Sequence, residues 1–185
     1  MQLTARKLPA LALACLSPCL PACTDSAPVA AETPPSCGPE GAVTAEIYGE
    51  LRASIDWGAG DFECEGMPRP AGEGARLRFA GMAGEAPDRR RLAFILGVPG
   101  LRQGETANEL PTNVTVIEEG AGRFFGTRGA SSCWTDIGAH ENLSASDYRI
   151  SGILYCVAPL AGLNGNSSIS FAELEFSGRL NWESP

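Results

Sequence analysis

The chain is nearly without lysine and histidine: Lys7 is its only lysine and His140 its only histidine. The first scarcity removes a lysine nucleophile or Schiff base from everything beyond residue 7, because both need a primary amine. The second removes a multi-histidine zinc centre, and neither HExxH nor CxxC spacing is present to supply another. There is no Gly-x-Ser-x-Gly elbow, so a Ser-His-Asp site would depend on His140 alone, in a polar stretch, Gly138-Ala139-His140-Glu141-Asn142, that reads as a solvated loop. None of these patterns calls for a cofactor. Long apolar runs are missing too. The longest, residues 8–20, has 13 residues, too few to cross a bilayer core of about 30 Å as a helix.

Charge narrows the partners. The formal net charge is −8, and every basic residue after Lys7 is arginine. Affinity for phosphate backbones requires clustered positive charge, so nucleic acid is not an expected partner.

What the N-terminus does contain is an export pattern: Arg6 and Lys7, the apolar run 8–20, then Leu20-Pro21-Ala22-Cys23. That segment resembles the lipobox of Gram-negative bacterial lipoproteins, with Pro21 where a small residue is usual. The resemblance covers about 23 residues and implies cleavage before Cys23, acylation of Cys23 and stable membrane anchorage through several chains. Thr24, rather than Asp, follows the cysteine, which within that pattern implies the outer membrane, with the domain facing the periplasm or the cell surface. The competing reading is an ordinary secretory signal cut near Val29-Ala30-Ala31. The expected organisation is a signal peptide over 1–22, a lipidated cysteine and Pro-rich tether over 23–36, and one domain over 37–185.

The seven cysteines then divide. Cys15 and Cys19 leave with the signal, Cys23 takes lipid, and Cys37, Cys64, Cys133 and Cys156 remain. Four cysteines in an exported domain suggest two disulfides, for which three connectivities exist. The preferred pairing is Cys133 with Cys156 and Cys37 with Cys64, since each closes a short loop between neighbouring segments.

The domain reads as strands. Leu51, Ala53, Ile55 and Trp57 alternate with Arg52, Ser54 and Asp56, the period of a half-buried strand. Further strands are expected at 75–80, 92–98, 113–118, 122–126, 148–156 and 169–182. Residues 92–98 are apolar at both parities, as a strand covered on both faces would be. Near the C-terminus Ala172, Leu174, Phe176, Leu180 and Trp182 share one parity, and the indole N–H groups of a packed Trp57 and Trp182 would each need a partner. Gly, Pro, Asn and Asp clusters separate the strands and no long 3.6-residue period occurs. The expected fold is therefore all-β, an antiparallel sandwich of jelly-roll or immunoglobulin-like type with roughly seven to nine strands; a small β-barrel is the alternative.

Three groups of residues carry candidate chemistry. Asp56, Asp61, Glu63 and Glu65 flank a Gly-rich turn and could offer oxygens to Ca²⁺, or a general acid and base for glycoside hydrolysis, or form a solvated acidic loop. Arg89, Arg90 and Arg91 precede the most apolar strand and could hold an anion, or form a turn whose charges guard that strand from aggregation. Trp134, with Phe124 and Phe125, could form an aromatic ligand platform or join the core. The functional expectation is a membrane-anchored envelope protein acting as a binding or structural module for an envelope protein or small ligand; the alternative is a carboxylate-based, glycosidase-like hydrolase.

Overall fold

The computed structural model describes residues 36–129, 132–163 and 165–183. Cys23, Thr24 and the signal and tether segments lie outside them. The described chain is all-β and antiparallel. It runs β1 (Ala42–Gly49), β2 (Ala53–Trp57), β3 (Phe62–Pro68), β4 (Ala75–Ala83), β5 (Arg90–Val98), β6 (Ala107–Pro111) and β7 (Asn113–Glu119). It continues with β8 (Arg123–Gly126), β9 (Cys133–Asn142), β10 (Asp147–Cys156), β11 (Leu160–Gly162), β12 (Ser168–Ser170) and β13 (Glu173–Asn181).

The thirteen strands exceed the expected seven to nine because short pairing segments and two full strands escape the apolar period. β1 buries Val43, Ala45 and Ile47 while Ala42, Thr44 and Glu46 face water, but its small alanines dilute the signal. β9 places Thr135 and His140 at buried positions and has a register shift opposite Ser151 and Gly152, so no apolar period is visible. The expected strand 169–182 is two strands. Phe171 and Ala172 interrupt it, and Ala172 is exposed rather than facing inward with Leu174.

Hydrogen bonds link the strands in the order β3-β4-β5-β7-β8-β11-β12-β1-β13-β10-β9-β6, with β2 paired to β1. The path is open, ending at β3 and β6. β1 belongs to both halves: Ala42 to Ala45 pair with β13, whereas Tyr48 and Gly49 pair with β12. Gly49 makes this crossing possible. Its φ is 107°, and a Cβ there would stand 2.5 Å from the Ser168 carbonyl oxygen.

Side chains from both halves fill the interior. Phe79 of β4 meets Phe176 of β13 with ring centroids 5.3 Å apart, Phe62 tilts onto Phe79 at 6.1 Å, and Trp57 packs on Phe62 at 5.7 Å and on Phe94 at 5.8 Å. Each fully buried aromatic or aliphatic side chain here contributes about 1.5–3 kcal/mol. The Trp57 indole donates to the Met82 carbonyl at 2.7 Å, and Trp182 donates to His140 at 3.1 Å, so both indoles find the partners burial demands.

β5 is buried along its inner face but only at Ala93 on its outer face, where Ile95 is half-buried and the cover is ionic, so the expectation of burial on both faces holds in part. Ala93 is fully buried on the outer parity of β5. Arg78 and Arg91 reach over this face: Arg78 pairs with Glu119 at 2.9 Å and Glu63 at 3.4 Å, and Arg91 with Glu119 at 2.6 Å and Glu63 at 2.8 Å. Burial works to raise the Glu119 carboxyl, but hydrogen bonds from Arg91 and Arg78 outweigh it and hold the group below the usual carboxylate range.

Two disulfides form, Cys37–Cys64 and Cys133–Cys156, the preferred pairing. Cys133 and Cys156 are direct cross-strand partners on β9 and β10. Cys37 ties the segment before β1 to β3.

Candidate functional site

The four carboxylates around the Gly-rich turn do not converge. Asp56 lies on β2 opposite Thr44, and Asp61 accepts a hydrogen bond from the Gly58 N–H at 3.0 Å within the turn. Glu63 and Glu65 lie on β3, where Glu63 joins the arginine network and Glu65 reaches Arg76 at 4.0 Å. Among the described residues no group of three or more His, Cys, Asp or Glu side chains is placed to hold a metal ion.

The arginine triplet is also dispersed. Arg90 and Arg91 open β5 rather than forming a turn, and each is spent on glutamate: Arg91 on Glu119 and Glu63, Arg90 on Glu118 at 3.4 Å. Arg89 is exposed beside Asp56, Asp61 and Glu85, around an open depression. His140 is not in a loop. It lies on β9, faces inward and is 7 % exposed, so the solvated-loop expectation is corrected; β9's bulge and the inward parity of Ile150 opposite it put the ring inside.

Trp134 does face outward. Phe125 joins the core and Phe124 is partly exposed on β8, so the three aromatics form no common platform. Trp134 instead stacks on Tyr155, its cross-strand partner, with centroids 6.1 Å apart and planes at 24°. Alternation along β9 then puts Asp136 on the same face, and register across the sheet adds Ile153 and Tyr155 of β10, and Glu173 and Glu175 of β13.

A groove of about 370 Å³ runs beside this pair, lined among others by Thr44, Asp136, Gly138, Ser151, Ile153 and Glu175. Glycine makes its depth. Nothing stands within 4 Å of where a Gly138 Cβ would be, while a Cβ on Gly152 would run into the Asp136 carbonyl and come within 3.0 Å of Phe176 Cζ. The floor therefore reaches the edge of a core ring.

β6 borders the site under strain. Glu109 has φ 55°, the one non-glycine positive φ among the described residues, at an irregularity between Ala107 and Leu110. Such a conformation costs about 1–3 kcal/mol, and here the Glu109 N–H donating to Asp136 Oδ1 at 2.6 Å holds it. Desolvation, and then the charges of Asp136 and Glu109, push the Tyr155 hydroxyl above its ordinary value. The aromatic pair sits in a negative field. Asp136, Tyr155, Glu109 and Glu175 were not visible as a group in the sequence; the only signal was the alternation Trp134, Asp136 on an unrecognised strand.

No family model matches the chain, and no curated protein or solved structure matches it.

Proposed function

We propose that this chain is a lipid-anchored envelope protein whose β domain binds a cationic group, carried by a small ligand or a partner side chain, on the outer face of β9, β10 and β13. Cys23 in its lipobox-like run supports the anchor and the outer-membrane address. The observation that carries the binding reading is the juxtaposition of an outward-facing aromatic stack with several carboxylates on one sheet face. Around the Trp134–Tyr155 stack, Glu109, Asp136, Glu173 and Glu175 have no ion-pair partner among the described residues. An aromatic face beside uncompensated carboxylates attracts an ammonium or guanidinium group by both quadrupole and charge.

The test is calorimetric titration with choline and with a short arginine-containing peptide, alongside a neutral oligosaccharide. Cation binding should weaken with salt and fall about tenfold in Trp134→Ala and in Glu175→Gln, a loss of about 1.4 kcal/mol. Equal, salt-independent binding of the neutral sugar, or no binding of any probe, would overturn the reading.

A carboxylate hydrolase is the second reading, and its best pair is Asp136 and Glu175 rather than the residues around the Gly-rich turn. Both stand opposite Ile153, so their backbones lie two strand spacings, about 9.5 Å, apart, and both line the groove, as glycoside hydrolysis needs two carboxylates to flank the bond. Turnover of aryl glycosides that disappears in Asp136→Asn would support it, and no turnover would remove it.

A further inference from the structure

We propose that His140 and Trp182 form an acid-released latch holding the segment after β13 against β9. The inference is independent of the binding face. The chemistry of the partners fixes the tautomer. Trp182 Nε1–H lies 3.1 Å from His140 Nε2, and an indole nitrogen can only donate, so Nε2 is the unprotonated acceptor. The ring proton is therefore on Nδ1, where it is donated to the Glu105 carbonyl oxygen at 3.1 Å. Both nitrogens are used and the ring is buried.

A solvent proton has one place to go. On Nε2 it turns the acceptor into a donor facing another donor, so the hydrogen bond to the indole breaks and the indole N–H must turn away from Nε2. The bond from Nδ1 to Glu105 survives protonation. Release is thus one-sided: the loop before β6 stays on the imidazole while Trp182 leaves. Beyond its indole, that segment is held by the Trp182 N–H to the Ser146 carbonyl at 2.9 Å and the Glu183 N–H to Asn181 Oδ1 at 2.7 Å.

No neighbouring charge replaces the lost bond. From the loop before β6, Arg102 and Glu105 approach each other at 3.9 Å. From β10, Asp147 is taken by Asn181 at 2.8 Å and Ser144 at 3.2 Å, Arg149 by Glu40 and by Glu141 of β9, and Tyr148 sets its ring edge against the imidazole at 4.9 Å while accepting from Gln103. Arg179 and Glu183 are exposed on β13 and beyond it. Among the described residues no carboxylate is paired with the ring. Burial pushes the imidazole below the ordinary histidine value, with the Glu105 carbonyl acting the other way, so release falls on the acid side.

The experiment is a pH titration of the ¹H–¹⁵N spectrum of the protein purified from the envelope, with the three indole signals assigned by single Trp→Phe variants. The Trp182 indole should move alone, and the protection of the Trp182 amide, its exchange relative to the intrinsic rate at each pH, should fall at least about tenfold below the transition. His140→Gln, whose amide oxygen can accept the indole proton and does not titrate, should flatten both curves. If that variant does not fold, Trp182→Phe serves: protection of the segment's amides should be low already at neutral pH and unchanged by acid. A Trp182 signal unmoved to about two pH units below the ordinary histidine value, or the same transition in either variant, would overturn the latch.

Discussion

Gly178 and Phe79 share one site in the core: a Cβ on Gly178 would stand 2.9 Å from Phe79 Cε1 and 3.1 Å from Cys64 Sγ. Neither neighbour has room to yield, since the ring is 1 % exposed and the sulfur is crosslinked. Gly178→Ala should therefore lower stability by about 1–3 kcal/mol, as overpacking does. A denaturant midpoint equal to wild type would contradict this close approach of β13 to β3 and β4.

Glu118 is the second test of the interior. It lies on the buried parity of β7 and is 6 % exposed, with Arg123 at 2.5 Å and Arg90 at 3.4 Å. Glu118→Gln leaves two guanidinium groups short of their counter-charge and should cost about 1–3 kcal/mol. Glu46→Gln, at an exposed site on β1, should stay within about 0.5 kcal/mol. Equal effects in paired chemical denaturation would mean that Glu118 is not buried as described.

The disulfides can be tested directly. Non-reducing mass mapping should find no free thiol at Cys37, Cys64, Cys133 or Cys156, and peptides linked 37–64 and 133–156. Removing the β9–β10 bridge in a Cys133→Ala/Cys156→Ala double variant should cost about 3 kcal/mol by the loop-entropy account for a separation of 23 residues. An unchanged thermal midpoint would show that the bridge constrains nothing.

Stability should also depend on pH through His140. Its folded pKa lies below the unfolded value of about 6.5 because the charged form is desolvated. Between the two values the unfolded chain binds more protons, so this contribution is complete above about pH 6.5 and is lost as pH falls toward the folded pKa. The difference in unfolding free energy between wild type and His140→Gln should shrink over that interval. A difference that grows with acid would reverse the sign and refute the assignment.

The anchor is tested by fractionation. Cys23→Ser should move the protein from the membrane to the soluble fraction, since acylation at that sulfur is the proposed attachment. Continued membrane retention would refute the lipobox reading.

Some of this architecture was legible in advance and some was not. β5 could be read directly because Leu92, Phe94 and Leu96 fill one parity while Ala93 and Ile95 fill the other. β9 could not. Its inward positions include Thr135 and His140, whose polarity is tolerated because Thr112 Oγ1 lies 2.8 Å from Thr135 Oγ1 and Trp182 and Glu105 satisfy the imidazole. Trp134 could be picked out as an aromatic of interest, but Tyr155 and Glu175 join it only through strand register, a long-range relation that local pattern does not carry. The arginine triplet misled for a related reason: which glutamates Arg90 and Arg91 meet is decided by β3 and β7, distant in sequence.

The Cys37–Cys64 bridge has a mechanical side. It encloses β1 and β2 in a covalent loop of separation 27, so tension applied to the backbone before Cys37 cannot draw that stretch out while the sulfurs are joined. The withheld length is about 90 Å, the contour of 27 extended residues. Under load the domain should yield in shorter steps when oxidised than when reduced, and the first rupture should fall outside β1 and β2.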